Sequence, residues 1–416
     1  VSVFRNRRFL ALWTGNAFSL VGTAGVRIAY PLLMLTVSDS PALAGWVASA
    51  LTLPSLLFQV PAGIAADALN RHQIMLLSQV AGFLAAGSVV AALLAGTPHL
   101  AAVLVAAAFV EGSAFVFFSI AEVGAVRDVV DEEQRAAAFS FLEAEPPVAN
   151  LAGRAFGGAL FGVARWIPFL FNTASYVFSF VVLVFMPRRL FDPRPSPGSG
   201  FGFWRRTGEG FAWTWRVPFL RLATVSAGVT NLLFQCVILL VLVVGARDHR
   251  PAWVVGLILA AAGVGGLLAS FAGPWIDRHG SPRTVFLGCL GSWTLCLLLI
   301  ALSKNSIVLA VAWAGVGATG AISSIILTMA RIRAVPDAAI GKVVGAAAVV
   351  AEGAVPLGAV AAGYFLAAAG PDRSAWALFA IMAALTLFCV RFLRPLHHVE
   401  NTAVAPSPGH GTERDR

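Results

Sequence analysis

Polar residues in this chain come in short clusters, and between them apolar residues run on for twenty or more positions. Runs of that length cross the ~30 Å hydrocarbon layer as helices, whereas a membrane β-barrel shows ten-residue segments of alternating polarity. The pattern predicts spans near residues 9–35, 42–65, 74–95, 100–120, 138–163 and 167–186. A second set falls near 221–244, 252–272, 284–302, 306–330, 344–369 and 375–393. Between the sets, Pro193, Pro195, Pro197, Gly198 and Gly200 open a linker that continues through Trp204, Arg205, Arg206, Trp213 and Trp215. That mixture of Trp and Arg predicts a helix lying at the headgroup level. The expected organisation is a six-helix bundle over 1–186, a linker with an interfacial helix over 187–220, a second six-helix bundle over 221–394 and a disordered tail over 395–416.

Composition agrees with a lipid solvent. The chain is 58% hydrophobic and only 12% charged, against ~25% charged in soluble domains. In lipid every backbone N–H and C=O must be satisfied internally, which leaves helices once barrels are set aside. The net charge of +9 could suggest nucleic acid, but the basic residues sit between apolar runs rather than along one face. They read better as a positive-inside signal. With the N-terminus in the cytoplasm, only Arg165, Arg247, Arg250, Lys304 and Arg373 fall outside, and Arg27 and Arg154 fall within spans. The other 22 of the 29 are cytoplasmic. The expectation is a multi-pass protein of the cytoplasmic (inner) membrane with both termini inside. Arg5, Arg7 and Arg8 precede an apolar stretch too long for a signal peptide and without a small-residue cleavage site, so it reads as a retained first span. Cys236, Cys289, Cys296 and Cys389 lie inside apolar runs without metal-ligand spacing and read as small hydrophobes.

An internal repeat relates the two sets. Pro41, Ala42, Gly63 and Asp67 recur 210 residues later as Pro251, Ala252, Gly273 and Asp277. Two six-span halves that both start from the cytoplasm are parallel repeats, and transporters built so hold substrate near the midplane between the halves.

The segment Gly63-Ile-Ala-Ala-Asp67-Ala-Leu-Asn-Arg71 resembles the loop motif of the major facilitator superfamily, with Ala68 where the family usually has a basic residue. Its second copy, Gly273-Pro-Trp-Ile-Asp277-Arg278-His-Gly280, is fuller. The resemblance covers residues 4–393. Residues 4–9, 39–43 and 209–221 are similar to the enterobactin-exporter and macrolide-efflux branch. It implies the major facilitator fold, all-α with twelve transmembrane helices. It also implies gating roles for Gly63, Asp67, Arg71, Gly273, Asp277 and Arg278. Gly153-Arg154-Ala-Phe-Gly157-Gly158 partly matches the span-5 motif of drug/proton antiporters, with Arg154 in place of Pro. Close helix packing accounts for its glycines equally well.

Charge within the spans is scarce. Arg27, Glu111, Arg154 and Glu352 are the exceptions, and an intramembrane charge costs ~2.5–3.5 kcal/mol at a helix centre, so such residues face an interior or a watery cavity. Glu111, eleven residues into its span, is the leading candidate for binding and releasing a proton, alone or in exchange with Arg27 or Arg154. A structural Arg–Glu pair is the competing reading. Asn231 and Gln235 share a helix face and can bond substrate or glue helices. Pro146 and Pro147 predict that span 5 begins near Pro147 and leaves Glu143 and Glu145 in a cytoplasmic loop.

Gly315-Val-Gly317-Ala-Thr-Gly320 fits a dinucleotide fingerprint but lies in an apolar span with no strand before it, and reads as packing. No P-loop, catalytic cluster, metal site or cofactor is predicted. The expected function is secondary transport by alternating access: proton-coupled efflux of a drug-like, siderophore or natural-product molecule, by a monomer in the bilayer, without nucleic acid. An importer of a small metabolite and a non-transporting receptor or scaffold remain open alternatives, as does a membrane enzyme, which the lack of a catalytic cluster disfavours.

Overall fold

The polar clusters between the apolar runs are helix starts. Asn6, Ser40, Asn70, Ser281 and Asn305 each accept, through the side chain, a backbone N–H of the first turn that follows. Each cap satisfies donors that the helix itself leaves unpaired. Pro41 and Pro282 occupy first helical positions, where a missing N–H costs nothing. The computed structural model describes residues 3, 6–187, 191 and 203–393, with only the backbone at 203–207, 273–275, 277–279 and 337–338. The predicted tail over 395–416 and the linker prolines Pro193, Pro195 and Pro197 lie outside the described residues.

Six helices make the first bundle: α1 (Arg7–Ser38), α2 (Pro41–Ala68), α3 (Arg71–Ala95), α4 (Leu100–Val129), α5 (Arg135–Val163) and α6 (Ile167–Val184). Helix α7 (Phe203–Arg216) lies in the linker. The second bundle holds α8 (Pro218–Arg247), α9 (Ala252–His279), α10 (Pro282–Leu302), α11 (Ser306–Ala334) and α12 (Asp337–Leu393). There is no strand among the described residues. Ten of the helices are long and apolar enough to cross a membrane: all but the more polar α5 and the short α7. At 57 residues α12 is twice the length a bilayer needs, and it breaks at Gly370 (φ 73°, ψ 166°), a conformation open essentially to glycine. Its two limbs count as two passes, and with α5, packed between α1 and α9, the passes come to twelve. The repeat extends to the backbone, since Asp39 (φ 50°) ends α1 and His249 (φ 51°), 210 residues on, follows α8.

Large apolar side chains, including Leu77, Leu94, Leu268 and Phe271, stand exposed on outer faces, as lipid contact requires. Inside, α1 packs on α5 and α6, and α8 on α12. The bundles meet along α2–α12 and α5–α9. Helix α7 rests on α12 and α8: Thr214 is buried, Lys342 pairs with Glu209, and a Cβ at Gly210 would strike the Lys342 carbonyl.

Two expectations are corrected. Helix α5 starts at Arg135 and runs through Pro146 and Pro147, so Glu143 and Glu145 are helical, not in a loop. The two prolines free only the carbonyls of Leu142 and Glu143, and both rings are exposed, Pro147 against a cavity, so the helix is not interrupted. Helix α4 likewise continues to Val129, beyond the predicted end near 120, which places Glu122 within it.

Candidate functional site

A cavity of about 540 Å³ lies between the bundles, walled by α5 and by α8 to α12. Its lining reaches from about the middle of these helices, at Ala262 of α9 and Val316 of α11, toward their ends nearest α7. Ser226 and Thr230 are in the first half of α8, Ala347 and Ala351 are early in α12, and Arg331 is one turn from the end of α11. This is the linker side. On the far side the bundles close by backbone contact. A Cβ at Gly45 of α2 would lie 2.5 Å from the Ala359 carbonyl and 3.0 Å from Gly363 Cα of α12. The repeat-related contact is Gly158 of α5, whose Cβ would lie 2.7 Å from the Ala252 carbonyl and 2.8 Å from Gly256 Cα of α9. Trp46 Nε1 adds a 3.2 Å hydrogen bond to the Tyr364 hydroxyl across the α2–α12 seam. The cavity therefore opens toward α7 and is sealed opposite.

The glycines of the span-5 motif have separate contacts. Gly153 and Gly157 pack on α1 at Val21, Ala24 and Gly25, while Gly158 packs on α9. Arg154, between them, reaches the cavity, and its Nη1 donates to the Leu259 carbonyl at 3.4 Å. Trp313 Nε1 donates to the same carbonyl at 3.2 Å. Asn231 also lines the cavity, but Gln235, one turn on, does not. Arg27 stacks over the Phe115 ring at 4.9 Å and lies within electrostatic reach of Arg154 and of Glu352, which is exposed on α12. Gly317, in the apparent dinucleotide fingerprint, has no room for a Cβ against the Ala262 carbonyl of α9, so that glycine is a packing residue.

Glu111 stands apart from these cations. It is 1% exposed inside the first bundle, where Tyr30 Oη donates to Oε1 at 2.9 Å and Asn172 Nδ2 to Oε2 at 3.1 Å. Neither Arg27 nor Arg154 forms an ion pair with it. A second buried carboxyl, Glu145, accepts from Asn16 Nδ2 at 2.6 Å and lies within electrostatic reach of Glu122, also buried. Between the two carboxyls is a cavity of about 20 Å³ lined by Asn16, Ser19, Thr23, Ser78, Gln79 and Tyr176. Its size suits one water, and Gln79 Oε1, buried beside it, has no donor among the described residues. Sequence reasoning missed this group. The polar residues Asn16, Ser19 and Thr23 of α1, spaced three and four apart, were the available signal.

In the loop motif, Arg71 opens α3 and pairs with Asp128 of α4 at 2.6 Å, while its Nε donates to the Ala66 carbonyl. Asp67 is half-buried in the last turn of α2. Gly63 has nothing within 4 Å of an added Cβ, so packing does not explain it. Gly273, Asp277 and Arg278 fall in α9, with their side chains outside the described part. No group of metal-ligating side chains occurs among the described residues.

Comparison with known proteins agrees with this architecture. The chain is 27% identical over 401 residues to the multidrug efflux pump Tap of Mycolicibacterium fortuitum, covering 94% of this chain and 95% of that protein. It resembles the nucleoside transporter NupG at a TM-score of 0.73 and 12% identity, covering 93% and 99% of the two chains. It also resembles a bacterial homologue of the iron transporter ferroportin in the inward-facing state, at 0.70 and 17%, covering 95% and 100%. The transmembrane secretion effector model matches residues 1–411. The chain is a multi-pass membrane transporter and not an enzyme, and it belongs to the transmembrane secretion effector family of the major facilitator type.

Proposed function

We propose that this transporter is an exporter of amphiphilic small molecules in the cytoplasmic membrane, with both termini inside, and that it spends the proton gradient by alternating access. The observation that carries the reading is the single-sided cavity: its mouth faces α7 and the basic clusters, and the glycine contacts of α2 with α12 and of α5 with α9 seal the other side. Basic loops mark the cytoplasmic side, so this conformation loads from the cytoplasm. The similarity to an efflux pump supports the same direction. The cavity is complete within one chain, which supports action as a monomer.

Coupling is assigned to the first bundle. Its buried carboxyls Glu111, Glu122 and Glu145 form no ion pair with a cation among the described residues. A neutral carboxyl is far cheaper there than a charged one, so the rocking of the bundles can be tied to gain and loss of a proton. Gly63, Asp67, Arg71, Gly273, Asp277 and Arg278 are proposed to hold the cytoplasmic gate. Everted vesicles energised by respiration should accumulate an amphiphilic naphthalene compound such as 2-naphthoxyacetate or its amide, and a protonophore should abolish the accumulation. Accumulation by right-side-out cells and not by everted vesicles would replace the exporter with an importer.

A further inference from the structure

Only two of the side chains lining the large cavity are charged, Arg154 and Arg331, and no carboxylate lines it among the described residues. Arg154 is the telling one. A guanidinium carries five N–H donors in a planar fork, and Arg154 uses one, in a long 3.4 Å bond to the Leu259 carbonyl. No carboxylate stands within ion-pair distance of it among the described residues. The charged group that acts on it electrostatically is a second cation, Arg27, which also feels Glu352. Arg154 is half-buried with part of its surface on the cavity, so its unused donors are met there by water or by an incoming anion.

Part of the cavity wall is aromatic. Phe234, Phe286 and Trp293 line it, and Phe234 is held flat against Trp313 with ring centroids 4.7 Å apart. We propose that the cavity selects anionic amphiphiles, with a carboxylate-type head on Arg154 and an aromatic or aliphatic body on Phe234, Phe286 and Trp293. Arg331, one turn from the end of α11, adds positive potential where substrate enters, and one-signed clefts concentrate ligands of opposite charge. Asn231 and Thr230 offer neutral hydrogen bonds between the two parts. A cation meets the reverse field on the same path. The inference rests on reading this cavity as the substrate site. It also fits export, because an anion leaving a negative-inside cell moves with the membrane potential.

The test uses the full chain in lipid nanodiscs and three naphthalene probes of one shape: 2-naphthoxyacetate, its neutral amide, and the corresponding trimethylammonium. Equilibrium dialysis against empty nanodiscs removes lipid partitioning. Wild type should bind the acetate about tenfold more tightly than the amide, as one charge-assisted hydrogen bond provides, and the trimethylammonium most weakly. Arg154→Gln should bring acetate and amide within about threefold by weakening the acetate alone, and Arg154→Lys should restore part of the gap. Arg331→Gln supplies a milder version of the same change should Arg154→Gln fold poorly. Trimethylammonium binding as tight as acetate binding overturns the proposal, as does an acetate preference that persists undiminished in both Gln variants. If wild type binds none of the three, the cavity is not the substrate site, and the inference falls with that reading.

Discussion

Gly45 of α2 and Gly363 of α12 touch backbone to backbone, so that a methyl group on Gly45 would lie 3.0 Å from Gly363 Cα. The far side of the transporter is shut here by main chain, with Trp46 and Tyr364 bonded beside it. Gly363→Val should wedge the seam and shift the population toward the state open on the far side. In a background lacking the four cysteines, a Trp46→Cys/Tyr364→Cys pair should cross-link readily in the parent and several-fold more slowly with Gly363→Val. Equal cross-linking would remove the seam's gating role. Gly256→Val, at the repeat-related seam with Gly158, should behave alike.

The Arg71–Asp128 pair anchors the α2–α3 turn to α4. The Asp128 side chain is only 2% exposed and that of Arg71 12%. Removing one member of a buried pair strands the other, at a cost of about 3 kcal/mol. Asp128→Ala should therefore lower the thermal midpoint and the yield clearly, while Asp128→Glu recovers part of both. An unchanged midpoint for Asp128→Ala would mean that the pair is solvated.

The spans, the repeat and the packing role of Gly317 were legible because they depend on local composition and on an offset within one chain. The 210-residue step that relates Asp67 to Asp277 reappears in the backbone of Asp39 and His249. What was hidden depends on register between helices. Nothing in a single sequence says that Asn16 faces Glu145, or that Arg71 reaches Asp128 across 57 residues. Placing the start of span 5 near Pro147 failed because a proline disturbs only its own N–H and one carbonyl a turn earlier. That cost falls on an exposed face.

A pH effect is expected on the far side. Hydrogen bonds from Lys304 and then Arg247 hold the Asp372 carboxyl below its ordinary value of 3.8. The distances are 3.2 Å to each cation. A depressed value means that the unfolded chain takes up the proton first. The stabilisation is thus complete above pH ~4 and lost as pH falls through the folded value. The site is exposed, so the effect is below about 1 kcal/mol. The thermal midpoints of wild type and Asp372→Asn should differ slightly at pH 7 and converge in acid or in about 1 M salt. A gap that widens in acid would give the linkage the opposite sign.

Glu111 carries the strongest prediction about coupling. Both its oxygens are occupied, by Tyr30 and Asn172, and both partners can reorient to suit an amide. Glu111→Gln should therefore fold normally, keep exchange of substrate between equal pools, and lose uphill flux, because it imitates a permanently protonated acid. Glu145→Gln should show the same split if the two carboxyls communicate through the small polar cavity of Gln79 and Tyr176. Replacing Gln79 by Leu should then slow uphill flux while leaving exchange intact, since it takes a water's hydrogen-bond partner away without touching either acid. Proteoliposomes report flux and exchange together, and thermal midpoints on the same preparations separate a coupling defect from a folding one. Full uphill transport by Glu111→Gln would leave Glu145 and Glu122 as the proton site. Full uphill transport by the double Gln variant at 111 and 145 would take the proton out of the first bundle and return the question to Glu352 beside Arg27.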